Sequence, residues 1–348
     1  MTPPPPPLRR SPRARRRPEP PAPHVHMRVK GRLGNQLFQF WMGAWLAERT
    51  GLPLTVSRTC DWFLQPRHFP NLRRVVGTMY RTLVPIPRGR YHLRGGPTSG
   101  AGAGAGTRIY SCADGAMGET IMLDVRRILA ASRAAGHAET ILLNVYNECF
   151  TFIEPHAAYV RRLYERPSRA LGRLDATVVH VRLGDLTDQY AASAPSFSRF
   201  VCDLCSREPG VSGTEVVIVA EDPYHRRVRA LERALLRTRA VPGVRVARRR
   251  CRRGRPGRAG GGGAGDGGVE AVHSDFDLLY RARNVVMANS TFSWWAAWLN
   301  PFAPSVYVGL SAEQPFAAHR TPWMFVNGPP DWNLYDLDAR AWVRRRRA

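Results

Sequence analysis

Lysine is almost absent from this chain. Lys30 is the only one, and arginine supplies the rest of the 52 basic residues, against 27 acidic ones. A net charge of +25 reads at first as a nucleic-acid signal. Its placement argues otherwise. Six arginines lie within residues 1–26, ten within 237–258 and four at 344–347. Without those runs, 32 basic residues face 26 acidic ones, an ordinary balance for a folded body. No helix-turn-helix, zinc-finger or RNA-recognition pattern accompanies the arginines, which argues against a specific nucleic-acid partner. The tails are suited to weak, salt-dependent contact with polyanions or acidic membrane surfaces.

Long apolar runs are missing as well. No stretch of about 18 apolar residues exists, so no membrane span is written. The N-terminus is a proline run followed by arginine clusters, without an apolar signal region. The expectation is a cytoplasmic or peripheral membrane protein, or a Golgi one if an anchor is supplied otherwise. Cysteine is sparse: six residues, of which only Cys202 and Cys205 are close. One pair is too few for a zinc knuckle, and so large a chain is no disulfide framework. Beside Phe200, Val201 and Leu204, the pair reads as part of a half-buried helix; a metal or redox pair is the alternative.

What is present is a repeating pattern. Hydrophobic residues make up 44% of the 348 residues, enough for real cores. Short apolar runs at 27–30, 52–56, 141–146, 177–182, 215–220, 244–247, 284–288 and 305–309 read as strands. Between them, 35–50, 155–165, 196–206, 224–237, 275–283 and the stretch after Thr291 read as helices. Apolar strands alternating with amphipathic helices predict an α/β protein with parallel sheets covered on both faces. The boundaries follow from composition. Residues 1–26 are a disordered Pro/Arg tail. A first Rossmann-like domain over 27–168 carries a Gly-rich insert at 95–106. A second over 169–325 carries a Gly/Arg insert at 251–268. Residues 326–348 form a C-terminal tail.

Ligands of such sheets bind beyond the carboxyl ends of the strands, and four segments fall there. The first is Asn289-Ser290-Thr291, between a buried strand and a helix anchored by Trp294, Trp295 and Trp298. Backbone N–H groups and hydroxyls at such a junction suit a phosphate; the plainer reading is an N-cap. The second is His180-Val181-Arg182-Leu183-Gly184-Asp185. Arg182 at a strand's end can grip a pyrophosphate with two prongs, or simply pair with Asp185. The third is Glu221-Asp222, carboxylates able to accept from a ribose or from guanine N–H groups; Asp222 as the N-cap before Pro223 is equally good chemistry. The fourth, Gly31-Arg32-Leu33-Gly34-Asn35-Gln36, is another strand, Gly turn and helix. It lacks the third glycine and the acidic partner of a dinucleotide fingerprint. Gly34, Asn35 and Gln36 open that helix at the cleft, where the two amides suit sugar hydroxyls or phosphate. Asp275-Phe276-Asp277 has the form of a metal-binding Asp-x-Asp, but is placed at a helix start, where acids are favoured anyway. No metal is expected.

Together these segments resemble glycosyltransferase family 11, the α-1,2-fucosyltransferases. Residues 31–40 (GRLGNQLFQF) are similar to the family's opening GxxGNQxFxY, 180–185 to its HxRRxD, and 276–300 to the block ending NSTFSWWAAWL. The resemblance implies two doubly wound domains of the GT-B type, GDP-β-L-fucose as donor, no cofactor, and transfer with inversion to the 2-hydroxyl of a galactose-terminated glycan. It places Arg182 on the pyrophosphate, Ser290 and Thr291 at the helix end above it, and His180 and Asp222 near the nucleoside. Asp185 and Glu148 are the candidates for the base. The second arginine of HxRRxD is Leu183 here, and Asn144-Val145-Tyr146-Asn147 replaces the family's Gly-Tyr-x-Gln. Two alternatives stay open: another acceptor, or an inactive transferase fold that binds polyanions.

Overall fold

A computed structural model describes residues 24–58, 62–73, 107–112, 130, 140–145, 150–183, 193–247, 266–288, 290–310 and 328–344. Asp185, Glu148, Asn289 and the two Gly-rich inserts up to residue 265 lie outside them. The described elements form two sheets. In the first, β1 (His24–Val29), β2 (Leu54–Arg58), β3 (Thr107–Cys112) and β4 (Thr140–Val145) pair in parallel in the order β2-β1-β4-β3. In the second, β5 (Leu174–Val181), β6 (Glu215–Ala220), β7 (Val244–Val246), β8 (Ala282–Met287), β9 (Ser305–Leu310) and β10 (Asn333–Asp336) are parallel, and β11 (Ala341–Arg344) closes one edge antiparallel.

The order of the second sheet is β7-β6-β5-β8-β9-β10. Numbered from its first strand this is 3-2-1-4-5-6, the order of nucleotide-binding open sheets. Each central strand is a continuous apolar run because each is buried on both faces. Val178 faces one side and Val179 the other. On Val179's side the sheet is covered by α4 (Ser193–Arg207) and α5 (Arg226–Thr238), through Phe200, Val201, Leu204, Leu231 and Leu235. On Val178's side lie α6 (Asp266–Arg281) and α7 (Thr291–Leu299). Cys205 is buried on α4, where burial pushes its thiol up to about 12. That is a core residue's environment, and far from a reactive thiolate's.

The helix α1 (Leu33–Thr50) joins the two sheets. Gly43 lies so close to Met27 of β1 that a Cβ there would overlap its side chain. The opposite face of α1 presents Phe38 to Trp294 and Trp295 of α7, at ring distances of 5.1 and 4.7 Å. A helix apolar on both faces must be buried on both. Buried residues of β1, α1, β5, β8, α7 and β10 therefore run into a single cluster. The short helices α2 (Phe150–Ile153) and α3 (Ala157–Leu163) sit beside it, and Tyr164 donates to the Leu37 carbonyl at 2.8 Å.

A second tie lies at the hinge between the sheets. Arg166 is buried, donates to Asp277 Oδ1 at 2.6 Å, and lies over the rings of Phe69 and Phe276. Ser168 shares the same carboxylate oxygen. His273 bonds the Phe63 carbonyl at 2.8 Å through Nε2 and lies 3.1 Å from Arg166 Nη1 through Nδ1. It also stacks on His68 at 3.6 Å.

Several sequence readings are corrected here. Asp275 and Asp277 stand in the third turn of α6, because that helix begins at Asp266. The spacing of Val269, Phe276, Leu279 and Tyr280, all buried, extends the amphipathic pattern back into the glycines. Asp277 is a structural partner of Arg166, and among the described residues no group of three His, Cys, Asp or Glu is placed to hold a metal ion. The stretch read as a C-terminal tail supplies β10 and β11, since Trp332, Leu334 and Leu337 are buried. β1 starts three residues earlier than expected, inside the stretch read as tail, and β3 went unread. No helix among the described residues is long and apolar enough to cross a membrane.

Burial lowers His273 to about 2 and His26 to about 4 from the ordinary 6.5, helped by Arg166 at His273 and by His24 at His26. A folded-state pKa below the unfolded one means that the unfolded chain binds the proton first. Stability is therefore full above about pH 6.5 and falls as the pH drops through it. Each histidine contributes about 2 kcal/mol to that loss between pH 6.5 and 5. Urea midpoints measured from pH 7.5 to 5 should fall accordingly, and less steeply in His273→Gln; a flat profile would contradict the burial of both rings.

Candidate functional site

In each sheet the sequence of strands reverses direction once. In the second, β5 leads to β6 and β7 on one side, and the chain returns to β8 on the other. In the first, β1 leads to β2 on one side, with β4 on the other. The crevice beyond the carboxyl ends at such a reversal is where open α/β sheets bind ligands. Arg182 follows β5, and Ser290 and Thr291 follow β8. Gly31 to Asn35 follows β1. Arg182, Ser290 and Thr291 thus flank the reversal of the second sheet, and the turn from Gly31 to Asn35 that of the first.

The two loops meet. Gly31 turns the chain out of β1 with φ +76°, a conformation open to glycine. At Gly34 the constraint is space: a Cβ would come within 2.5 Å of the Phe292 nitrogen and 2.6 Å of Thr291 backbone and hydroxyl atoms. The Thr291 hydroxyl donates to Asn35 Oδ1 at 2.9 Å. Since Gly34 meets residues 291–292 and Phe38 meets Trp294 and Trp295, α1 and α7 run side by side in the same direction. Their positive poles are therefore adjacent. Neither first turn contains an acidic residue, and neither N-cap, Arg32 or Ser290, makes a side-chain capping bond. Two like poles whose own first turns hold no acidic residue favour an anion between or beside them.

Other residues hold this arrangement. Gln36 is 0% exposed. It donates to the Gly31 carbonyl and accepts from the Phe63 N–H, both at 3.0 Å. It braces the turn from inside and does not line the cleft. His180 is buried beneath the α7 end, with Nδ1 3.1 Å from Ser293 Oγ and its ring against Phe292. Leu183 is 4% exposed in the core beneath α4 and α5. In this chain the second position of the HxRRxD-like segment points inward.

Beyond β6, Glu221 forms an ion pair with Arg32 across the two sheets. Asp222 accepts from the Tyr224 N–H at 2.9 Å and so closes the loop; the N-cap of α5 is His225, whose ring accepts from Arg227 N–H at 3.3 Å. The Arg32–Glu221 pair was not read from the sequence. Its only signal was the cation inside the Gly31–Gln36 turn, whose partner lies 189 residues away.

A methyl group at Gly34 would press on backbone, which has no rotamer to escape into. Overpacking of that kind costs about 1–3 kcal/mol. Gly34→Ala should therefore lower the unfolding midpoint and separate the two helix ends. Gly51→Ala, at a left-handed helix end with φ +68° and open space around it, should also lower the midpoint but leave ligand binding at the cleft unchanged. Equal behaviour of the two variants in ligand binding would remove the contact from the site.

No family model matches the chain, and no curated protein matches it. Among solved structures it is similar to FUT1 of Arabidopsis thaliana, in a mutant form in complex with GDP, with 14% sequence identity, a TM-score of 0.41, and coverage of 93% of this chain and 78% of that one. At that distance the chemistry of the site is read from its own residues.

Proposed function

We propose that the chain is an inverting glycosyltransferase that moves L-fucose from GDP-β-L-fucose to the 2-hydroxyl of a terminal galactose, without a metal ion. On this reading the two sheets, β1 to β4 and β5 to β11, are the halves of a GT-B fold, with the donor on the second. The observation that carries it is the meeting of two helix N-termini without acidic first turns, α1 and α7, at the reversal of a 3-2-1-4-5-6 sheet whose first strand, β5, leads into Arg182. The residues that build this meeting point belong to the three segments that resemble the α-1,2-fucosyltransferases.

In the proposed reaction the bond between fucose C1 and the β-phosphate oxygen breaks as the acceptor hydroxyl oxygen bonds to C1 from the opposite face. The ring passes through oxocarbenium character, and negative charge grows on the departing GDP. Arg182 and the N–H groups at the start of α7 are the groups to receive that charge. The hydroxyl proton leaves to a base, for which Asp185 and Glu148 are the candidates. They are tested by Asp185→Asn and Glu148→Gln, assayed for turnover with donor binding followed in parallel.

Calorimetric titration of GDP, GDP-fucose and UDP-galactose in the presence of EDTA tests the donor. Selective binding of the two guanine nucleotides is expected; preference for UDP-galactose, or no binding at all, would sink the proposal. With the donor established, Arg182→Ala should reduce turnover about 10²–10³-fold, the usual loss for one such donor, while unfolding stays cooperative. Near-normal turnover in that variant would remove Arg182 from the mechanism.

A further inference from the structure

Tyr224 has no part in the site as described, yet among the described residues it is the most exposed aromatic side chain, at 65% of its surface. It lies in the loop between β6 and α5, three residues beyond Glu221. The loop is shaped rather than slack. Asp222 accepts from the Tyr224 N–H at 2.9 Å, and the His225 N–H donates to the Asp222 carbonyl. The ring itself is backed on one side. The Arg229 guanidinium lies 5.4 Å from its centroid, and Glu232 holds that guanidinium at 2.8 Å. An aromatic ring supported by a fixed cation and still open to solvent is a stacking surface in search of a flat partner.

The sheet says where such a partner would come from. In the 3-2-1-4-5-6 order, β6 is the second strand. The loop after that strand receives the ribose, through a carboxylate at its end, when a pyrophosphate sits at the neighbouring reversal. Glu221 occupies the carboxylate position. Parallel strands lie about 4.8 Å apart, so the two-strand step from the end of β8, where α7 begins, out to the loop after β6 is about 10 Å. That matches a ribose followed by a base.

We infer that Tyr224, backed by Arg229, is the platform on which the nucleobase of a nucleoside diphosphate stacks. This rests on the proposed donor reading and adds the base subsite to it. Stacking grips the flat face of the ring, leaving discrimination between bases to hydrogen-bonding groups at its edge. It contributes nothing to the pyrophosphate.

The test is calorimetry on the full chain with two probes, GDP and inorganic pyrophosphate, for wild type, Tyr224→Ala and Tyr224→Phe. Tyr224→Ala should bind GDP about tenfold more weakly. Its affinity for pyrophosphate should match that of wild type, and Tyr224→Phe should bind both normally. Unchanged GDP affinity in Tyr224→Ala, with wild type binding GDP, overturns the platform and leaves the donor reading standing. Equal losses for both probes would also overturn it, since the residue would then be shaping the loop. Wild type binding neither probe would overturn the donor reading and the platform together.

Discussion

The backbones of α1 and α7 touch where Gly34 lies against Thr291 and Phe292. Most of what is distinctive here depends on that contact. It lets two helices from different sheets run side by side with Phe38 packed against both Trp294 and Trp295. It brings the Asn35 amide within hydrogen-bond reach of the Thr291 hydroxyl. It also sets two positive poles next to each other, an arrangement that by itself is unfavourable. The aromatic contacts beneath it supply the compensation. Each such pair is worth about 0.5–1.5 kcal/mol beyond its buried area, and α7 alone makes several, among Trp294, Trp295, Trp298 and Phe38. The apolar core holds the two poles together, and the proposed anion site lies where they meet.

The same logic accounts for the second tie. Arg166 is buried with its charge matched by Asp277 and its planar group covered by two phenyl rings. Removing one member of a buried pair leaves a charge without compensation. From Gln36 the bonding runs through Phe63 to His273 and on to Arg166. The turn that opens the first sheet's site is thereby braced from the helix that precedes β8. The segments from different parts of the sequence are held in fixed relation by short polar contacts as well as by the core.

How much of this could be read in the sequence follows from the range of the forces involved. Strands β5, β6 and β8 were legible because burial on both faces writes continuous apolar runs. The strand-to-helix junction after β8 was legible because a buried apolar run leads directly into a Trp-rich helix there. The loops after β1, β5 and β6 were legible by the same topological argument. What sequence reasoning missed depends on partners distant in the chain. Glu221 gives no hint that Arg32 will pair with it. Gln36 looks like a surface amide until the Phe63 N–H is seen on it. β10 and β11 are short and followed by arginines, so their buried Trp332 and Leu334 did not outweigh the look of a tail. The start of α6 was hidden because glycine is a poor helix former, and packing of Val269 and Phe276 overrides that preference.

Leu183 is the departure that most challenges the proposed reaction, and charge arithmetic bears on it. An arginine at that position would add one positive charge near a leaving pyrophosphate. Here the side chain is buried in the core on the far face of the sheet. A cation could not take its place without rearranging the packing of α4. The pole of one helix is equivalent to about half a charge. Two poles side by side, at α1 and α7, therefore supply about one. Unlike an arginine side chain they lose no rotamer entropy on binding, and their N–H groups already point out of the helix ends. Arg32 at the rim is matched by Glu221 and adds no net charge to that sum. On this account the closeness that Gly34 permits would do the electrostatic work of a second arginine. The chain then depends on helix packing for what a side chain could have provided.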